Sequence, residues 1–197
     1  MIVVGVTGNL SSGKTAVAKI FKSLGAVVFD ADRAAARALE KGRPTARAAV
    51  KIFGKEYLGA GGWIDRGKLA RHVFGHPRDL KKLNILIHPG VIFECLKLIE
   101  KNRAKKGMLV LDVPLLFESK MENIADVTVV VRAPVRRLLA RSRRKGIGRA
   151  LARKILSTQW PGERKARLAD FIIDNDGTRR SLEKKVREVF GEIIKRN

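Results

Sequence analysis

Gly-Asn-Leu-Ser-Ser-Gly-Lys-Thr, residues 8–15, sets two glycines around four other residues and follows the second with a lysine and a hydroxyl. Glycines at 8 and 13 let the backbone curl so that successive N–H groups aim inward at phosphate oxygens. Lys14 then neutralises terminal phosphate charge, and the Thr15 hydroxyl can ligate Mg²⁺. The opposing reading is a Gly/Ser-rich surface turn. Two flanking features weigh against it: the apolar run "IVVGV" (2–6) ends just before the loop, and an amphipathic pattern begins inside it. A phosphate cradle is the expectation, although the pattern alone does not say which nucleotide chemistry it serves.

Carboxylates come next. "FDAD" (29–32) places Asp30 and Asp32 at the end of a second apolar run, where ligands bind in open parallel sheets. A carboxylate there can take a proton from an attacking hydroxyl. Chemistry does not rank the two, and Asp30 is also suited to capping the following helix. "VLDVPLLFES" (110–119) supplies another acidic strand end. Asp112 there suits Mg²⁺ held through water, or a polar group satisfied by neighbouring backbone. From Val127 to Gly162 there is no acidic residue, while Arg132, Arg136, Arg137, Arg141, Arg143, Arg144, Lys145, Arg149, Arg153 and Lys154 all fall in that interval. Most of these are expected to be a solvated face. Arg141, ahead of Arg143 and Arg144, is the candidate for stabilising charge on a transferred phosphoryl group.

The elements that must position these groups follow from periodicity. Apolar runs at 2–6, 26–30, 108–113, 126–131 and 170–174 read as buried strands, and Val17, Ile20, Phe21 and Leu24 recur at helical spacing up to Gly25. Strand, helix, strand in that order predicts a parallel sheet with right-handed crossovers. Residues 44–107 carry helical patterns broken at "GAGGW" and "GHP" and read as a helical insertion. The C-terminal segment places Leu182, Val186, Val189, Phe190, Ile193 and Ile194 on one helix face, with Gly191 weakening the last turn. The expected architecture is a doubly wound five-stranded parallel α/β sheet in a single domain, 1–197, with the helical insertion at 44–107 and a basic lid at 135–165.

Composition sets the boundaries. With 42 Lys+Arg against 19 Asp+Glu the net charge is +23, which favours polyanionic or phosphate-bearing ligands. The single cysteine, Cys95, excludes an intramolecular disulfide or a cysteine-built zinc site, and its apolar setting reads as core. No run approaches the ~20 apolar residues of a membrane span, and the start of the chain lacks a basic leader. A cytoplasmic setting is expected.

Together these segments resemble the dephospho-CoA kinase family over essentially the whole chain. Family members open with a strand and then T-G-G-I-G-S-G-K-S, where this chain has "TGNLSSGKT". "GAVVFDADR" is similar to the family's D-A-D strand, and "WIDRGKLARHVFGHP" and "LNILIHPGV" to its next two segments. "LVLDVPLLFES" carries its P-L-L-(F/V)-E signature, and "IL…Q" at 155–159 and "LADFIIDNDGT" continue the likeness. The resemblance implies a P-loop kinase fold and transfer of phosphate from ATP, with Mg²⁺, to the ribose 3′-hydroxyl of dephospho-CoA. It implies Asp32 as the base, Lys14 and Arg141 beside it in catalysis, and Ser11, Ser12, Gly13, Lys14, Thr15 and Ala16 on the ATP phosphates. It places Asn175 and Gly177 near adenine, and Asp65, Arg66 and His88 in the acceptor region around 60–105. His88 either contacts substrate or fixes a turn before Pro89, and the restricted pre-proline position favours the second.

The chain also departs from the pattern. Asn9-Leu10-Ser11 replaces Gly-Ile-Gly, so the loop must avoid positive φ there or carry strain at Asn9. The lid is more basic than the family's usual one. Two alternatives stay open: a related small-molecule or nucleotide kinase with another acceptor, and a nucleic-acid-binding nucleotide-dependent protein. Aromatic residues at 6% give the latter little stacking surface, leaving nonspecific electrostatics. A monomer is expected.

Overall fold

The computed structural model describes residues 1–196. The apolar runs form β1 (Ile2–Thr7), β2 (Val27–Asp30), β3 (Met108–Asp112), β4 (Val127–Arg132) and β5 (Phe171–Asp174). They pair in the order β2-β3-β1-β4-β5, every pair parallel, as expected from the strand–helix–strand pattern. β1 and β3 are buried along their whole length, which is why they read as unbroken apolar runs rather than alternating ones. Parallel pairing brings all carboxyl ends to one edge. Register sets Asp30 opposite Asp112, and Arg132 opposite Asp174.

Residues 1–30 and 97–196 form one compact unit. In it α1 (Lys14–Ser23) and α9 (Arg179–Lys195) pack their apolar stripes on the sheet. Val17, Phe21, Val186 and Ile193 are fully buried with Val4, Val6, Val110, Val129 and Val131. Each such side chain contributes about 1.5–3 kcal/mol by leaving water. Gly25 at φ +97° terminates α1 as expected. Two details of α9 differ from expectation. The helix continues through Gly191, and Ile194 is 43% exposed, because Ile193 takes the inward position and its neighbour is turned ~100° away. The basic region holds three helices: α6 (Val135–Arg144), α7 (Arg149–Ser157) and α8 (Gly162–Ala166).

Residues 31–96 form a second compact unit, and the division falls within one long helix. It holds α2 (Ala31–Ala38), α3 (Pro44–Phe53), α4 (Arg66–Val73) and the greater part of α5 (Pro77–Asn102). An antiparallel bridge between Leu58 and Ile64 closes the glycine-rich turn that separates α3 from α4. Leu69, Val73, Ile87, Val91 and Cys95 are among its buried residues. Burial pushes the Cys95 thiol up to about 12, so it is an inert core group. The expected turn before Pro89 is absent: α5 runs straight through that proline. Ile87, Val91 and Cys95 recur at helical spacing and are buried, and this packing overrides the local bias of the pre-proline position. Among the described residues no helix is long and apolar enough to cross a membrane.

Candidate active site

β1 delivers residues 8–15 to the carboxyl edge of the sheet, and α1 begins at Lys14. Two positions of the loop require glycine. Gly8 at φ +152° lies so close to the Val131 carbonyl oxygen that a Cβ would overlap it, and a Cβ on Gly13, at φ +109°, would overlap the Asn175 amide. Positive φ also occurs where the loop lacks a glycine, but at Ser11 (φ +59°) and not at Asn9. Such a conformation costs a non-glycine residue about 1–3 kcal/mol and persists where surroundings enforce it. Here the Ser11 hydroxyl lies 3.0 Å from that of Ser142, a fully buried residue of α6. The Ser12 hydroxyl is buried without a hydrogen-bond partner. Lys14 is 9% exposed, while Thr15 and Ala16 are open to solvent.

Asn175 and Arg141 converge on the same loop. The Ser12 carbonyl accepts from Asn175 Nδ2 at 2.7 Å and from Arg141 Nη1 at 3.2 Å. Arg141 Nη2 also donates to the Asn175 carbonyl at 3.0 Å and to its Oδ1 at 3.2 Å. Burial, with repulsion from Arg137 and Arg144, lowers the Arg141 pKa below its ordinary value. These groups and Gly177 line a cavity of about 430 Å³ together with Ser11, Gly13, Lys14, Thr15 and Ala16. Thus every expected ATP-contacting residue except Gly8 and Ser12 borders one cavity.

The carboxylates divide between the two units. Asp112, 5% exposed, ends β3, and Asp30 ends β2 beside it in register. Asp112 and Thr15 are both hard oxygen donors of the kind Mg²⁺ prefers. Asp32 is exposed in the first turn of α2. Asp65 caps α4: its Oδ1 accepts from the Lys68 N–H at 2.9 Å. Arg66, the first residue of α4, is exposed. His88 lies mid-helix in α5, half-buried, and burial lowers its pKa, so it is neutral at pH 7.

Several supporting residues carried no assigned role in the sequence. Gln159 Oε1 accepts from the Leu10 N–H at 2.9 Å, and Asn9 Nδ2 donates to the Trp160 carbonyl at 3.0 Å. Trp160 N–H donates to Glu118 Oε1, which pairs at 2.8 Å with the fully buried Lys165. Arg132 joins Asp174 and Glu163, and these contacts raise its pKa. Gln159 was visible only as part of a family segment. Lys165 stands in "GERKAR", where nothing separates it from its charged neighbours.

The family model described as dephospho-CoA kinase matches residues 2–181. A dephospho-CoA kinase of Carboxydothermus hydrogenoformans is 40% identical over 190 residues, covering 93% of this chain and 90% of the relative. One from Enterococcus faecalis is 35% identical, covering 98% and 97%. Among solved structures, the dephospho-CoA kinase from Campylobacter jejuni superposes with a TM-score of 0.64 at 26% identity, covering 97% of this chain and 96% of that one.

Proposed function

The chain belongs to the dephospho-CoA kinase family, and from that premise we propose how its own residues divide the work. The enzyme transfers a phosphoryl group from ATP to dephospho-CoA, giving coenzyme A. The observation that carries the nucleotide half is the loop at 8–15: two glycine positions that no Cβ fits, and a buried Ser12 hydroxyl with no partner of its own. A phosphate oxygen would satisfy that hydroxyl. The same loop presents Lys14 at the start of α1, where charge and helix dipole both favour an anion.

In this reading Ser11 to Ala16 hold the ATP phosphates and Asn175 and Gly177 border the adenine end. Arg141 fixes the loop by its bonds to Ser12 and Asn175 and lends positive charge to the transferred group. Thr15 directly and Asp112 through water would hold Mg²⁺, which supplies charge neutralisation on the phosphate oxygens. Asp32 takes the proton of the ribose 3′-hydroxyl as that oxygen attacks. Arg66 and His88 contact the acceptor, His88 as a neutral imidazole. Asp65 keeps one oxygen for substrate while the other caps α4.

The test is Asp32→Asn, which preserves size and removes the proton acceptor. Transfer slows by roughly 10²–10⁴-fold with both substrates still bound. Asp30→Asn loses less. A near-wild-type Asp32→Asn beside a crippled Asp30→Asn reverses the assignment.

A further inference from the structure

The phosphate loop lacks two glycines that the family usually has, yet its backbone still takes a positive φ at Ser11. Something other than glycine's freedom must hold it. Between α7 and α8, Gln159 faces the loop and accepts the Leu10 backbone N–H at 2.9 Å. Asn9, standing in place of the first missing glycine, bridges to the same segment through Nδ2: 3.0 Å to the Trp160 carbonyl and 3.4 Å to Gln159 Oε1. Asn9 is 8% exposed, so water competes poorly for these bonds.

The segment carrying Gln159 is itself fixed. Trp160 N–H donates to Glu118 Oε1 at 2.9 Å, the buried Lys165 ammonium holds both Glu118 and the Pro114 carbonyl, and the Arg164 guanidinium stacks 3.6 Å above the Trp160 ring. A rigid path thus runs from the loop after β3 to Leu10. Fixing the Leu10 peptide orients the turn it belongs to, which the Ser12 N–H closes on the Asn9 carbonyl at 3.0 Å.

We propose that Gln159 is a positioning residue for the phosphate loop, with Asn9 as its partner. The pair tethers the loop from outside and so sets nucleotide affinity. The proposal rests on residues 8–15 being the phosphate cradle.

Gln159→Met keeps length and packing and removes the side-chain amide, with it the acceptor for Leu10. ADP affinity measured by calorimetry, which needs no turnover, is expected to fall about five- to tenfold, the range that one hydrogen bond's net worth sets. Hydrogen exchange at the Leu10 amide speeds up, while the unfolding midpoint falls by only about 2–4 °C per kcal/mol of the one orphaned donor, since packing is kept. Asn9→Gly, which leaves the Leu10 bond in place, loses roughly twofold in ADP affinity, a fraction of one hydrogen bond. Adding it to Gln159→Met costs little more, as expected of groups sharing one contact. Unchanged ADP affinity and unchanged Leu10 exchange in Gln159→Met overturn the proposal. So does a drop in stability with affinity unchanged, which marks a purely structural residue. If Gln159→Met does not fold, Asn9→Gly decides by ADP affinity, and an unchanged value overturns the proposal. Failure of the cradle reading itself looks different: wild-type protein then shows no ADP binding.

Discussion

The nucleotide end of the first unit and the helical unit of residues 31–96 treat their candidate residues in opposite ways. At the phosphate loop, Ser11, Ser12, Lys14 and Asn175 are all under a tenth exposed, and Ser12 alone receives bonds from two distant elements. In the helical unit Asp32, Asp65 and Arg66 are exposed, and Asp65 caps α4. Phosphoryl transfer depends on positioning and charge placement more than on covalent chemistry. The first region carries that positioning in its own fold. The second presents its candidate groups at the surface.

The contrast is sharpened first at Lys14. Lys14→Ala removes the cradle's own charge, and kcat drops about 10²–10³-fold, as for loss of a preorganised electrostatic group. Steady-state kinetics with unfolding curves check this, and near-normal turnover in a folded variant breaks the cradle reading. Arg141→Ala comes next. Because its guanidinium holds Ser12 and Asn175, it raises the ADP dissociation constant and lowers kcat together, by roughly tenfold, and it costs about 1–3 kcal/mol of stability from orphaned acceptors. A kcat loss alone, with affinity and stability intact, assigns it purely to the transition state.

In the helical unit the effects are smaller and separable. Asp65→Ala loses about 1 kcal/mol through its cap, and Asp65→Ser restores that stability. A KM for dephospho-CoA that stays raised in Asp65→Ser shows the carboxylate meeting substrate as well. His88 gives the smallest effect. Its folded pKa lies below the ordinary 6.5, so the unfolded chain binds the proton more readily. Stability contributed by the neutral ring is present above pH 6.5 and declines as pH falls through the folded pKa. Replacing it by Gln flattens that acid-side decline, as followed by denaturant unfolding from pH 7.5 to 5.

Much of this was legible in the chain itself. Continuous apolar runs located all five strands, although only β1 and β3 are buried throughout and the edge strands β2 and β5 leave Val27 and Ile172 exposed. The spacing of Gly8, Gly13, Lys14 and Thr15 located the cradle because few residues meet its steric demands. Pro89 misled because local bias is weak beside the packing of a long helix. The positive φ fell at Ser11, where burial and the Ser142 hydroxyl hold it, and no local rule foretells a partner 131 residues away. Gln159 and Lys165 were silent for the same reason. Their roles depend on which distant carbonyls and amides the fold brings beside them.

Acceptor choice tests the division of labour most directly. ADP release is measured with dephospho-CoA, adenosine 5′-monophosphate and shikimate as acceptors, and the position of the new phosphate is read by phosphorus NMR. The account predicts rapid turnover with dephospho-CoA alone and the phosphate on the ribose 3′-oxygen. Comparable turnover with another acceptor, or ADP release indifferent to any acceptor, would contradict it.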